Sequence, residues 1–344
     1  MNKDRKRRLI GILVSAPEKR KPALKRYLPY AAGKDVLIGF TPRSIDWDKR
    51  RVTGLYHTGA GWEIGTFPLP DVVYNRCYEI QDSLIRRLES VIGQGKCFNH
   101  RNKFHKLETY RHLRKSLGEH LPATIPFEEK AAAQMLMRHP VLYFKPCFGS
   151  GGKGVIRAAR QADGGIHIGD HYFTPETIVY SLEDFQKEMK RRIGGKPYLV
   201  QAGIPVGVAK GQIFDLRALV QKNGHGQWDV TSIISRIASP GSFNTSLCDA
   251  VRRAEEVLSG IRHADEAGRI LSAVREIGLT AAAALEKKTR LHLGELSVDL
   301  ALDDRGKLWI IEVNGKPQKS LYDEIEGGSE AYRRPMEYAH YLAW

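Results

Sequence analysis

The chain has 344 residues, 42% hydrophobic and 27% charged, the make-up of an ordinary soluble globular protein with room for two or three packed domains. No apolar run approaches the roughly 20 residues that span a bilayer, so a membrane protein is not expected. The formal net charge of +15 is uneven: residues 1–115 hold 25 Lys+Arg against 11 Asp+Glu, and the remainder holds 29 against 28.

A basic start, Lys3 to Arg8, precedes the apolar run Leu9 to Val14. That run is too short for a secretory core and has no small-residue cleavage pattern after it, so a first strand is expected. Residues 35–40, 53–56 and 62–67 read as further strands of an N-terminal α/β unit, and Pro68-Leu69-Pro70 punctuates the chain before 72–76. Leu84, Ile85, Leu88, Val91 and Ile92 recur at helical spacing over 81–92, and a boundary near 95 closes the unit. Helices follow over 103–117 and 127–138, then one over 183–192 ended by Gly194-Gly195. Residues 198–204 cross into a C-terminal half in which 251–285 carries a long helical pattern, interrupted near Gly260 and Gly268. The divisions expected are therefore 1–95, 96–200 and 201–344.

Cys77, Cys97, Cys147 and Cys248 are scattered, with no C-x-x-C pair. They suggest neither zinc nor a disulfide framework, which makes a reducing cytoplasm the expected setting and Cys147 a packed residue. The basic N-terminal third favours an anionic partner. Nothing resembles a helix-turn-helix, an RNA-recognition motif or a basic zipper, so nucleic acid is not the partner expected.

Two segments carry chemistry. Val141 to Pro146 is a strand ending in Lys145-Pro146, followed by Phe148-Gly149-Ser150-Gly151-Gly152-Lys153-Gly154. Such a run of glycines leaves backbone N–H groups free to approach an anion. It is not a Walker A loop, since Cys147 stands where the first glycine should and no Ser or Thr follows Gly152-Lys153. The second segment is a hairpin, Gly294 to Leu302 and Leu308 to Asn314, about the turn Asp303 to Lys307. A hairpin symmetric about Arg305/Gly306 sets Asp299 opposite Glu312, with Cβ atoms about 4.5–5.5 Å apart. Asn314 shares their face, and Val298, Leu300, Trp309, Ile311 and Val313 are expected on the other. Two carboxylates and an amide oxygen suit Mg²⁺.

These blocks resemble the ATP-grasp superfamily, and most closely its YheC/YheD-like, endospore coat-associated branch. The resemblance covers roughly residues 70–344 and rests on Phe98 to Lys106, Tyr143-Phe144-Lys145-Pro146, Tyr198 to Pro205, Phe214-Asp215-Leu216-Arg217, Gly294 to Asp299 and Ile311 to Pro317. It implies an α/β protein of α+β subdomains: an ATP-grasp fold behind an N-terminal α/β pre-ATP-grasp domain. It also implies ATP clamped with Mg²⁺. Lys106 (with Lys103 as its neighbour alternative) and Lys145 would neutralise phosphate charge. Gly149, Ser150, Gly151 and Gly152 would cover the phosphates, and Gln201, Ala202, Gly203 and Ile204 would read the base. Asp299, Glu312 and Asn314 would hold the metal. Arg217 and Arg236 would clamp the transferring group.

Two departures accompany the match. In Gly241 to Cys248, Asn244 precedes Thr245 and paired glycines are missing, in a loop that borders the acceptor in relatives; His105 stands where several relatives carry Asp. The activity implied is an ADP-forming carboxylate–amine or carboxylate–thiol ligase working through an acyl phosphate, an acidic peptide being one substrate the basic third suits. The alternatives are a kinase using the same phosphate apparatus and a nucleotide-binding, spore-coat-associated structural protein without turnover.

Overall fold

The computed structural model describes residues 8–31, 33, 35–209 and 211–344; the basic start up to Arg7 lies outside them. Among the described residues, three sheets organise the chain.

The first is built on parallel strands in the order Val36–Phe40, Leu9–Leu13, Val72–Asn75 and Cys97–Phe98. Arg51–His57 joins antiparallel at the Val36–Phe40 edge and carries Trp62–Pro68 and Ile45–Asp46. Near-continuous Val/Ile/Leu runs suit strands covered on both faces. Helix Asp82–Ile92 covers one face through Ile85 and Leu88. The other face meets helix Arg20–Tyr27 and the C-terminal helix Glu330–Leu342 through Leu24, Tyr27, Ala331, Met336 and Ala339. The chain's last helix therefore fastens the N-terminal sheet to the C-terminal half.

The second sheet is antiparallel, in the order Thr177–Val179, Ile166–Asp170, Ile156–Arg160, Val141–Pro146, Tyr198–Ala202, Thr124–Pro126. Helices Glu129–Arg138 and Leu182–Ile193 cover it through Leu136, Phe185 and Met189. Because Tyr198–Ala202 is an interior strand of this sheet, the middle unit ends beyond the residue 200 expected.

The third sheet runs Cys248–Arg253, Trp228–Ala238, Gln212–Lys222, Glu295–Leu302, Leu308–Asn314, with Val208–Ala209 added to Gln212–Lys222. Helices Ala264–Thr289 and Lys106–Leu117 share its core, Leu113, Leu117, Val274, Ile277 and Ala281 among the buried residues. The basic helix Lys106–Leu117 thus belongs to this layer although its sequence position assigns it to the middle unit. Residues 251–285 also differ from expectation: the segment opens as the end of a strand, turns into the short helix Ala254–Ser259, and then runs unbroken through Gly268 from Ala264 to Thr289. Helical periodicity over Val251–Arg253 is overridden by pairing with Ile234–Arg236.

Where the N-terminal sheet meets the third, Glu295 is fully buried and accepts hydrogen bonds from Arg76 (3.0 Å), Asn99 (3.3 Å) and Gln221 (2.9 Å), and from the Tyr74 hydroxyl. Lys319 adds an ion pair at 2.7 Å and also reaches the Tyr27 and Tyr74 hydroxyls. These bonds hold the two halves in one relative position.

Candidate functional site

Between the second and third sheets lies a cavity of about 280 Å³. Every residue named above as a candidate lines it except Gly203 and Lys103. Gly203 instead packs on Val141: its amide donates to the Val141 carbonyl at 2.7 Å, and a Cβ there would strike the Val141 side chain. Lys103 is also turned away and pairs with Glu79, which separates it from Lys106.

The acidic hairpin forms as expected at its centre and differs at its edge. Asp299 faces Glu312 in register. The turn, however, is centred one half-step earlier than Arg305/Gly306, pairing Leu302 with Leu308 and Leu300 with Ile310. A β-bulge between Asp299 and Leu300 on the paired ladder then restores the Asp299–Glu312 match by admitting Ile311 as the extra residue. The bulge also reassigns faces. Leu308, Ile310 and Val313 enter the core, whereas Ile311 lines the cavity and Trp309 lies half-buried with its indole N–H on Asp303. Trp309 and Ile311 are therefore not on the core face that strict alternation gave them.

Arg217 sits directly across from Asp299 on the neighbouring strand and grips it with two bonds of 2.6 Å, Nε to Oδ1 and Nη2 to Oδ2. Arg236 adds a bond of 3.0 Å to Asp299 Oδ2 and pairs with Asp215, which also takes the Thr245 hydroxyl at 2.6 Å. Asp299 is 2% exposed. Burial would raise its pKa, but Arg217 and Arg236 outweigh that and hold the carboxyl below its ordinary range. Nη1 of each arginine makes no hydrogen bond to the described residues.

Glu312 is more open and is held by Lys106 at 2.9 Å, which also donates to the Gly149 carbonyl at 2.8 Å. Lys145 donates to Gln201 Oε1 at 2.6 Å, and Gln201 donates on to the Thr124 hydroxyl at 3.2 Å. The Gln201 side chain is thus committed to orienting Lys145 in this conformation. Burial pushes the Lys145 ammonium down to about 8, with Glu312 opposing and Lys106 reinforcing the shift.

The glycine loop is folded over the cavity. Gly151, Gly152 and Gly154 have φ of 64°, 68° and 73°, the left-handed region. A Cβ on Gly152 would lie 1.9 Å from Asn244 Nδ2, so only glycine lets the loop settle on Asn244. The departing segment Gly241–Cys248 is in turn stitched to the second sheet. Phe243 N–H donates to the His171 carbonyl at 3.0 Å, Phe173 N–H to the Gly241 carbonyl at 2.9 Å, and the Phe243 ring packs 5.5 Å from Tyr143. Asn244 itself lies against Gly152 and within 3.3 Å of the His171 ring nitrogen. Cys147, 2% exposed, packs with Leu107 and Leu199, as a packed thiol should.

Sequence reasoning missed several lining groups. Tyr143, Val206, Ala301, Ile311, Lys316, Gln318 and Leu321 line the cavity. No motif marks the apolar ones. Lys316 is flagged only by its place two residues after Asn314.

Three sheets with a cavity between an antiparallel lid and an acidic hairpin define the ATP-grasp fold, and solved structures of that architecture superpose throughout. VanG D-Ala:D-Ser ligase from Enterococcus faecalis matches with a TM-score of 0.59 over 98% of this chain and 100% of its own, at 12% identity. Carboxyaminoimidazole ribonucleotide synthase from Aspergillus clavatus, solved with ATP, matches with a TM-score of 0.56 over 97% of this chain and 77% of its own, at 13% identity. Residues 94–342 match the YheC/D like ATP-grasp family, and the chain belongs to that family. It is 30% identical over 327 residues to endospore coat-associated protein YheD of Bacillus subtilis, covering 88% of this chain and 70% of the relative.

Proposed function

We propose that the protein is an ATP- and Mg²⁺-dependent ligase that joins a carboxylate to an amine or thiol through an acyl phosphate. The observation that carries this reading is the convergence of Asp299, Glu312, Asn314, Lys106, Lys145, Arg217 and Arg236 on one cavity beneath a glycine loop.

The donor set fits Mg²⁺. Asp299 Oδ2 is filled by two guanidinium N–H groups, but Oδ1 takes only Arg217 Nε and keeps a lone pair. Glu312 and the Asn314 amide oxygen complete an all-oxygen set of the kind a hard cation takes. Mg²⁺ bound there would supply positive charge to phosphate oxygens. Lys106 now neutralises Glu312 and would transfer to phosphate; Lys145 is placed to do the same from the opposite wall. The free Nη1 groups of Arg217 and Arg236 offer donors to a trigonal phosphoryl group. A substrate carboxylate attacks the γ-phosphorus and ADP leaves; an amine then attacks the acyl carbon, loses a proton, and expels phosphate. The loop on Asn244 excludes water from the acyl phosphate. Ile204, Val206, Ala301 and Ile311 form the apolar slot for adenine.

The test is Mg²⁺-dependent ATP consumption by purified protein with pooled amino acids and acidic peptides, separating ADP from AMP. ADP with phosphate is the expected result. AMP with pyrophosphate would sink the acyl-phosphate route, and a stable phosphorylated product without ligation would make the protein a kinase. The second reading is a coat-associated nucleotide binder. It is favoured by the packing of Asn244 against Gly152 of the glycine loop and by the name of the YheD relative; tight ATP binding without turnover on any pool would support it.

Nucleotide affinity is expected to depend on pH through Lys145. Its free pKa is about 8, and phosphate can only raise that value on binding. Affinity is therefore full below pH 8 and falls as pH rises above it, by up to about tenfold per unit. Lys145→Arg stays charged and should show a flat profile in ADP titrations from pH 7 to 9.5; a slope equal to wild type would remove Lys145 from the site.

A further inference from the structure

Away from the ATP cavity, three side chains of metal-ligating type meet where the N-terminal sheet adjoins the C-terminal half. Glu89 comes from helix Asp82–Ile92, His100 from the turn after strand Cys97–Phe98, and His292 from the link between helix Ala264–Thr289 and strand Glu295–Leu302. One ligand atom from each lies within 4.8 Å of the other two. None of the three lines the ATP cavity. The backbone brings the histidines together: His100 N–H donates to the His292 carbonyl at 3.2 Å, and the rings meet edge to face with centroids 5.7 Å apart.

Hydrogen bonding inside this cluster is incomplete. Glu89 is 5% exposed, and its Oε1 faces Gly95 N–H at 3.0 Å, Cys97 N–H at 3.3 Å and His100 Nε2 at 3.2 Å. Those contacts fix the carboxylate and leave Oε2 without a hydrogen bond to the described residues. His292 Nε2 lies 2.5 Å from the Tyr338 hydroxyl, which orients the ring. Its other nitrogen, Nδ1, is buried and has no hydrogen-bond partner among the described residues. A buried nitrogen in that state has lost its water and gained no bond in exchange. An imidazole held through one nitrogen and bare at the other is the arrangement that metal-binding histidines share, the outer partner fixing ring and tautomer. His100 Nε2 faces Glu89 and the Cys97 carbonyl, the latter at 3.1 Å. To bind through Nε2, His100 shifts its proton to Nδ1 and gives up only a long contact, 3.4 Å, from His292 N–H.

We propose that Glu89, His100 and His292 form a binding site for a divalent transition metal of the zinc type, separate from the Mg²⁺ set of the ATP cavity. Two imidazoles and a carboxylate select such an ion over Mg²⁺, which takes oxygen ligands. Three protein ligands leave a coordination position for water. The ion would clip the helix that covers the N-terminal sheet to the strand that carries Glu295. Asn99, next to His100, already ties that point by accepting Gly294 N–H at 2.8 Å and Glu295 N–H at 3.2 Å. The role is therefore structural, a stabilisation that grows with free metal, and it does not depend on the ligase reading.

The test strips untagged full-length protein with a chelator and titrates it with Co²⁺ as a spectroscopic stand-in for Zn²⁺. One equivalent should give the intense visible bands of a four- or five-coordinate ion with nitrogen ligands, and added Zn²⁺ should bleach them. An ion on the all-oxygen set of the ATP cavity would be six-coordinate and weakly coloured, so Glu312→Gln should leave the signal unchanged. Zn²⁺ should also raise the melting temperature of the stripped wild type by a few degrees. His292→Gln, whose amide can still meet the Tyr338 hydroxyl, should weaken binding about 100-fold or more, since even an outer partner of a ligand is worth about 10–100-fold. Zn²⁺ should then leave its melting temperature unmoved. The wild-type spectrum decides independently of whether that variant folds. Weak six-coordinate bands alone, no Zn²⁺ shift in wild-type melting, or equal binding by a folded His292→Gln would each overturn the proposal, the last marking adventitious surface binding.

Discussion

Glu312→Gln should abolish Mg²⁺-dependent ATP turnover, with a loss of about 10²–10³-fold or more, because it removes a ligand charge from the cation that would stabilise the reacting phosphates. The substitution keeps the shape of the side chain and one oxygen acceptor. It deletes the negative charge that now holds Lys106 at 2.9 Å and that would face a cation shared with Asp299 across the hairpin. Glu312 is partly open and lies outside the hydrophobic core, so the fold should persist. The measurement is ADP release at saturating Mg²⁺, with a thermal melt of the same samples. Turnover within about tenfold of wild type would remove Glu312 from the metal set, since a lost ligand charge costs more than that. Asp299→Asn is a poorer test: it also strips the buried partner from Arg217 and Arg236, so lost activity could reflect lost structure.

The contrast between these two carboxylates marks what the sequence could reveal. Glu312 and Asp299 were legible because a tight turn with Gly306 at φ 84° forces a hairpin, and a hairpin fixes which residues face each other. The bulge at Ile311 was not, because nothing in Leu-Trp-Ile-Ile-Glu distinguishes a regular strand from one with an extra residue. The partner of Arg217 was hidden for a related reason. Asp215 is two residues away in sequence, but Asp299 is the residue opposite it, and that depends on Gln212–Lys222 and Glu295–Leu302 being neighbours. Helix Arg20–Tyr27 went unread because Pro22 and its lysines and arginines blur any apolar stripe; only Leu24 and Tyr27 are buried. The C-terminal helix carries Pro335 inside it, and packing of Tyr332, Met336 and Ala339 on the N-terminal sheet overrides that local cost.

Glu295→Gln should destabilise the folded protein by about 3–5 kcal/mol, the penalty for leaving buried cations without their counter-charge. Glu295 is 0% exposed and answers Lys319, Arg76, Tyr74, Asn99 and Gln221 together. A glutamine supplies one acceptor oxygen and sets an NH₂ group against Lys319 or Arg76. Because the cluster joins the N-terminal sheet to the third sheet, the loss should appear as an earlier urea midpoint, detectable by tryptophan fluorescence. Burial alone would raise the Glu295 pKa; Lys319 and Arg76 outweigh it and bring it from the ordinary 4.5 down to about 2. A carboxyl depressed on folding contributes stability that is complete above pH 4.5 and is lost as pH falls toward 2. The stability difference between wild type and Glu295→Gln should therefore shrink across that window and be constant from pH 6 to 8. Pairing the change with Lys319→Met removes one stranded cation, and the double variant should be more stable than Glu295→Gln alone. A single-variant loss below about 1 kcal/mol, typical of an exposed pair, would mean that solvent reaches this cluster and that the two halves are held together elsewhere.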